Sequence, residues 1–364
     1  MKKLLLILLC LPMIGFGQQT YVPDDNFEAY LEANGMGNGI ANDDSVTTAN
    51  INTVDTLDLH NQSISNLTGI EDFTALISLN CIGSILGNQL TSLDVSTNTA
   101  LTSLNCSGNQ LTSLDVSTNT ALTELRCNNN QLRNLDVSNN TALTSLVCWT
   151  NQLTSLDVSQ NTLLTTMSCA NNQIDSINLS QNTALTELRC NNNQLTNLDV
   201  SNNTALTHLY CWTNQLTSLD VSTNTALTEL DCRWNQLTSL DVSQNIALTS
   251  LVCLSNQLTS LEVSTNTALT ELICYDNKLT SLDISQNIAL THLYCWTNQL
   301  TSLDVSTNTA LTKLMCYDNK LTSLDVSQNT ALSRLRCNNN QLIRHPNKNK
   351  YVEVDKKWEE HRYR

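Results

Sequence analysis

From residue 101 onward, apolar side chains return at fixed places. Leu101, Leu104, Cys106, Leu111, Leu114 and Val116 are followed by Leu122, Leu125, Cys127 and so on, with polar residues between them. The unit is 21 residues long and reads LxxLxCxxNxLxxLDVSxNxx. Its cysteine recurs at 106, 127, 148, 169, 190, 211, 232, 253, 274, 295, 316 and 337. Cys81 precedes Cys106 by 25 residues, which marks an insertion around Gly83-Ser84-Ile85-Leu86-Gly87. Each half of the unit contains an LxxLx(C/V)xxN segment in which the second Leu and the Cys or Val lie two residues apart. That is strand parity, so both point inward while their neighbours face solvent. The pattern predicts two short strands per coil. One coil buries a single row of side chains and cannot stand alone, whereas stacked coils share continuous ladders of Leu, Cys and Val. About twelve coils, stacked roughly 4.8 Å apart, predict a solenoid rod about 60 Å long with parallel β-sheet and little helix.

The ends need caps, because a stacked core is open at both termini. Pro23 to Gly35 has acids early, Phe27, Tyr30 and Leu31 on one face, and a glycine stop, which predicts a short N-terminal helix. The stretch from there to about Asn52 reads as a Gly- and Asp-rich loop. Asp43-Asp44 lacks a complete calcium-loop motif and reads as a solvated turn. At the other end, residues 344–364 lose the pattern and hold 7 of the 18 Lys and Arg residues against four acids. Tyr351-Val352-Glu353-Val354 can supply a closing strand with Trp358 over it; a disordered end is the alternative. The boundaries expected are 1–19 for a signal peptide, 20–54 for the cap region, 55–343 for the solenoid and 344–364 for a basic tail.

In a chain of 364 residues, only 16 are aromatic, with Gly 9 and Pro 3, so an ordinary mixed core is excluded and the repeat must replace it. The net charge of -15 argues against nucleic acid as a partner, since a phosphate-binding surface needs the opposite sign. Met1-Lys2-Lys3, the apolar run Leu4 to Phe16, and small residues at Gly15 and Gly17 form a secretory signal peptide. The run is too short to span a bilayer, and no other stretch predicts a transmembrane segment. Leu9 before Cys10 is bulkier than lipoprotein processing accepts. A secreted or cell-surface location is expected.

The unit resembles the bacterial leucine-rich repeat of the 21-residue cysteine-type class, as in the internalins, over about residues 55 to 343. The resemblance implies that Asn109 and its equivalents to Asn340 form a hydrogen-bonded ladder between coils. The row from Asn98 to Asn329 suggests the same device on the other edge. It further implies that the concave strand face binds ligands, mostly proteins. Exported relatives often carry an anchor domain after the repeats, and none is visible here, which weighs against surface attachment.

Fourteen cysteines in an exported chain ordinarily mean disulfides. Here equivalent cysteines in adjacent coils point the same way, which meets the distance for a disulfide but not its torsion. Buried reduced thiols are expected, as in the cysteine ladder of the family. Metal binding is not expected, for want of CxxC pairs or adjacent His. None of His60, His208, His292, His345 and His361 lies in a Ser-His-Asp or HExxH context, so no enzyme and no cofactor are expected. Asp94, Asp115, Asp136, Asp157, Asp199, Asp220, Asp241, Asp283, Asp304 and Asp325 should form an outward carboxylate row. Calcium bridging, or local hydrogen bonds from Ser, Thr and backbone N–H groups, would offset its self-repulsion.

Comparing the units within the chain separates what the scaffold needs from what it does not. With the first Leu as place one, the second half is nearly constant, while the third, fifth, seventh and eighth places change freely. The first three of these face solvent on the strand. Every aromatic residue between 91 and 343 sits in one of these slots. The candidate ligand-binding residues are Arg126, Trp149, Arg189, His208, Tyr210, Trp212, Arg233, Trp234, Tyr275, His292, Tyr294, Trp296 and Tyr317. Trp, Tyr and Arg together give the composition of binding hot spots. The expected function is macromolecular recognition or adhesion by an exported monomer, with protein as first ligand. Glycan binding is the alternative, because spaced rings can stack on sugars. A structural or ice-contacting rod, suggested by the Thr-Ser-x-Asp rows, is the rival of another class.

Overall fold

The computed structural model describes residues 17–84 and 87–342. Expectations for Met1–Phe16 and for the basic tail, including Tyr351–Val354 and Trp358, fall outside these residues. β1 (Gln19–Tyr21) pairs antiparallel with β2 (Ser45–Thr47), and α1 (Asp25–Ala33) and α2 (Thr48–Ile51) flank that pair. The stretch read as loop therefore carries β2 and α2. Asp24 caps α1 by accepting the N–H groups of Asn26 and Phe27 at 3.1 and 3.0 Å. Its other oxygen accepts Ser65 N at 2.8 Å, Ser65 Oγ at 2.9 Å and Asn66 N at 3.0 Å, so one carboxylate ties the cap to the first coils.

Fourteen parallel strands follow in sequence order: β3 (Thr56–Asp58), β4 (Ser78–Asn80), β5 (Ser103–Asn105), β6 (Glu124–Arg126), β7 (Ser145–Val147), β8 (Thr166–Ser168), β9 (Glu187–Arg189), β10 (His208–Tyr210), β11 (Glu229–Asp231), β12 (Ser250–Val252), β13 (Glu271–Ile273), β14 (His292–Tyr294), β15 (Lys313–Met315) and β16 (Arg334–Arg336). The insertion after Cys81 leaves the register intact, since Leu79 still pairs with Leu104. Each strand spans the third to fifth places, with the central Leu buried, or Met167 in β8. Behind them Leu, Cys and Val are buried in ladders, each Leu contributing about 1.5–3 kcal/mol of burial. Among the described residues no helix is long and apolar enough to cross a membrane.

The second half of the coil keeps the predicted in-and-out alternation, with Leu and Val buried, but forms no strand. The expectation of two strands per coil is corrected to one. A side chain intercepts the pairing: Leu195 N donates to Asn214 Oδ1 at 3.0 Å rather than to a neighbouring backbone carbonyl. A turn then follows, with Ser201 N donating to Asp199 Oδ1 at 2.9 Å.

Both asparagine rows bridge coils. In the first, Asn214 Nδ2 donates to the carbonyls of Cys190 (3.1 Å) and Cys211 (3.0 Å) while its Oδ1 accepts Leu195 N, so the amide is fully used. In the second, Asn224 Nδ2 donates to Val200 O (3.0 Å) and Asn203 O (2.9 Å), but its buried Oδ1 has no protein donor. A third ladder was not anticipated. The second-place Thr228 Oγ1 donates to Thr207 O at 3.0 Å, and this repeats along the sheet.

The thirteen cysteines among the described residues are free thiols, all buried except the half-buried Cys337. Burial pushes the thiols of Cys106, Cys169, Cys274 and Cys316 up to about 12, which suppresses the reactive thiolate.

Candidate ligand-binding face

The strand pleat places third- and fifth-place side chains on the solvent face of the sheet, and the seventh-place residue follows just past the strand end. From β9 to β15 these side chains pack on one another. The Arg189 guanidinium lies 4.4 Å from the centroid of Tyr210, whose hydroxyl donates to Glu229 Oε2. Burial, and then that carboxylate, raise the Tyr210 phenol above its ordinary pKa. Tyr210 meets Trp212 edge-on at 5.8 Å. Arg233 then lies between two indoles, 4.9 Å from Trp212 and 4.8 Å from Trp234.

Beyond Arg233 the face becomes apolar. Val252, Leu254 and Ile273 are buried together, with Trp234, Tyr275 and Tyr294 packed against them. Tyr275, Trp296 and Tyr317, one per coil, form a column. Tyr275 stacks on Trp296 at 3.6 Å and Trp296 on Tyr317 at 5.2 Å, with interplanar angles of 13° and 11°. Tyr294 touches Trp296 at 5.8 Å and His292 at 6.2 Å.

One ion pair sits at the edge of the apolar patch. Arg233 Nε is 3.4 Å from Asp231 Oδ2, and both side chains are only 12% exposed. Burial pushes the Asp231 carboxyl up to about 6, against the pull of Arg233.

Eleven of the thirteen predicted residues, from Arg189 to Tyr317, therefore lie on one continuous face. Arg126 and Trp149 lie apart from it. Arg126 pairs with Glu124 on its own strand, and the intervening coil presents only Thr166, Ser168, Ala170 and Asn171 at its variable places. Sequence reasoning left out Val252, Leu254, Ile273, Glu229 and Asp231. The signal was available, because aliphatic residues occupy the fifth place of two consecutive coils, Val252 and Ile273, together with Leu254 at a seventh place.

The eighth place varies for a different reason. Its backbone is left-handed in every coil from Gly108 to Asn339, with φ of 72° at Gly108 and 54° at Asn129. Asn, Asp and Gly suit that conformation, whereas Thr150, Thr213, Thr297 and Trp234 (φ 52°, 51°, 47° and 53°) are strained in it. Each of these threonines follows a tryptophan, and Trp234 is itself an aromatic of the face.

His208 does approach a hydroxyl and a carboxylate: Nδ1 is 2.8 Å from Thr207 Oγ1 and Nε2 is 3.9 Å from Glu229. The arrangement does not activate a nucleophile. The Thr207 hydroxyl proton goes to the Thr186 carbonyl, which makes the imidazole the donor in the Thr–His bond. The exposed aspartate row is held locally. Asp115 Oδ1 accepts Ser117 N at 2.9 Å, and hydrogen bonds of this kind keep these carboxyls below their ordinary pKa.

No family model matches the chain. Over 79 residues it is 41% identical to Internalin J of Listeria monocytogenes serotype 4b (strain F2365), a match covering 22% of this chain and only 8% of that protein's length. The functional domain of InlJ from Listeria monocytogenes, which includes a cysteine ladder, superposes with a TM-score of 0.82 at 41% identity, over 90% of this chain and 72% of that one. The chain belongs to the internalin-type leucine-rich repeat family. A leucine-rich repeat protein of Leptospira interrogans superposes with a TM-score of 0.72 at 28% identity, over 81% of each chain. The cysteine ladder named in that InlJ domain has a counterpart in the Cys81–Cys337 column of this chain.

Proposed function

We propose that this protein is exported and recognises a protein ligand through the solvent face of β9 to β15. Export rests on the Met1–Phe16 leader pattern. Recognition rests on a face that varies from coil to coil while the scaffold repeats. The observation that carries protein over glycan is the state of the rings. Trp296 has Tyr275 on one face and Tyr317 on the other. Tyr210, Trp212 and Trp234 each lend ring surface to a guanidinium. Sugar stacking needs an open ring face, whereas edges, hydroxyls and a fixed apolar patch suit a protein surface.

A second reading has one observation in its favour. Trp149 makes none of these ring contacts, which suits a local sugar-stacking position. The two separate in a capture experiment from cell-envelope extracts treated with protease or with periodate. The wild type should hold a partner that protease abolishes, and a Tyr275→Ser, Trp296→Ser, Tyr317→Ser variant with unchanged circular dichroism should lose it. A periodate-sensitive partner lost on Trp149→Ala would establish the glycan reading instead.

A further inference from the structure

We infer that the protein ligand of this face is a cationic, partly apolar polypeptide segment, laid along the rod so that positively charged side chains about 10 Å apart meet Glu229 and Glu271. The inference rests on the protein-binding reading above and names the partner's chemistry. From β10 to β14 the third, fifth, seventh and eighth places hold four carboxylates, Glu229, Asp231, Glu271 and Asp276, against a single Lys or Arg, which is Arg233. Arg233 pairs with Asp231. The other three carboxylates accept hydroxyls: Glu229 from Tyr210, Glu271 from Ser250 at 3.3 Å and Asp276 from Ser255 at 2.8 Å. A hydroxyl satisfies a carboxylate oxygen and leaves its charge in place. His208 Nε2 stands 3.9 Å from Glu229, beyond hydrogen-bond reach.

Strand register sets Glu229 and Glu271 on either side of Ser250, so their strand positions lie two coils apart, about 10 Å. An extended chain advances about 3.3 Å per residue, so cations at every third residue keep step with these glutamates. The charge is not offset from within the face. Burial, and then Glu271, raise the Asp231 carboxyl against the pull of Arg233.

The apolar patch lies among these carboxylates. Val252 and Ile273 hold the fifth places of the strands that begin with Ser250 and Glu271, and with Leu254 they pack against Trp234, Tyr275 and Tyr294. Leucine-sized side chains between the ligand's cations would lie on those rings. The acidic stretch ends at β15, where Lys313 stands beside His292, so the cationic part of the segment stops there.

The test uses the full chain and fluorescence anisotropy. The labelled probes are a peptide of four Lys-Leu-Ser repeats, one of four Glu-Leu-Ser repeats, and one of the first composition with its lysines in a single block. The wild type should bind the spaced lysine probe about tenfold or more tightly than the glutamate probe, increasingly at low salt, and more tightly than the blocked one. Glu229→Gln with Glu271→Gln keeps the hydroxyl acceptors and should remove most of the preference. Asp220→Asn with Asp241→Asn takes the same charge from the constant half of the coil and should leave the preference unchanged. Equal binding of the lysine and glutamate probes, or of the spaced and blocked lysines, would overturn the inference. So would an equal loss in the two double variants, which would trace the preference to the net charge of -15 alone. If the lysine preference is absent but the Tyr275, Trp296 and Tyr317 variant still loses its captured protein, only the charge inference falls. If that variant keeps the protein, the recognition reading falls with it.

Discussion

The two halves of each coil are written in the same LxxLx(C/V)xxN grammar, yet one is nearly constant and the other carries almost all of the chain's variety. In the constant half the polar side chains are tied to backbone. Asp220 accepts Ser222 N, Thr223 Oγ1 donates to Ser201 O, and Asn224 donates to two carbonyls of the preceding coil. Substituting Asn224 breaks bonds that recur in every coil from Asn98 to Asn329, and substituting Asp220 breaks one that most coils repeat. In the strand half the exposed side chains bond mainly to one another, as Arg189 does with Glu187 and Tyr210. Their identities can change without touching the ladder behind them. Repetition thus records scaffold, and variation records a surface free to be selected for something else.

Four changes would break or sharpen this comparison, taken from the largest expected effect to the smallest. Asn224→Ala removes one of the two donors from each of the buried carbonyls of Val200 and Asn203, which keep only the N–H groups of Asn203 and Leu206, and the two lost bonds should lower stability by about 2–3 kcal/mol, read from denaturant midpoints. An equal loss from a strand-face variant such as Tyr294→Ser would erase the distinction between the halves.

Asp231→Asn acts on the one buried titratable pair of the strand face. The folded carboxyl titrates at about 6, above the unfolded value near 3.9, so the fold favours its neutral form. That stabilisation is complete below the unfolded value and is lost as pH rises through about 6. Wild-type stability should therefore fall between about pH 4 and 6 by an amount on the order of 2 kcal/mol, and the variant should be flat across that window. A wild-type curve already flat there would show that Arg233 holds Asp231 ionised.

Thr213→Asn places a residue suited to the left-handed eighth position and should stabilise the rod by about 1 kcal/mol in thermal melts. A loss would mean that the threonine itself makes a needed contact. Asp220→Asn keeps the turn acceptor and should leave the melting temperature unchanged, as should added calcium. A calcium-dependent rise in the wild type that is absent from the variant would restore the bridging explanation of the aspartate row.

Periodicity made most of the architecture legible, because a solenoid's contacts are local and each unit repeats its own rule. The parity of Leu104 and Cys106 placed both in the core, and the asparagine rows pointed to inter-coil bonds. The second strand could not be excluded by parity alone. Parity reports which way a side chain points, not whether Leu195 N meets a carbonyl or the amide of Asn214. The same limit hid β2 and α2, whose short segments have no repeat to amplify them. For the site, slot variation found the eleven residues that cluster, but contiguity depends on which coils are neighbours in space. Thr166, Ser168 and Ala170 separate Trp149 from the rest only once the coils are stacked. The eighth place was misleading for a backbone reason, since its left-handed φ selects Asn, Asp and Gly whatever the face does.

The most direct test of this division sets one substitution in each half against the same captured partner. Trp296→Ala and Ser302→Lys lie in adjoining parts of one coil, on the variable face and on the constant exposed row. With both variants shown to be folded by circular dichroism and matched in melting temperature, Trp296→Ala should abolish capture of the protease-sensitive partner while Ser302→Lys retains it. Capture that survives Trp296→Ala and disappears with Ser302→Lys would place the function on the repeated row and contradict the account.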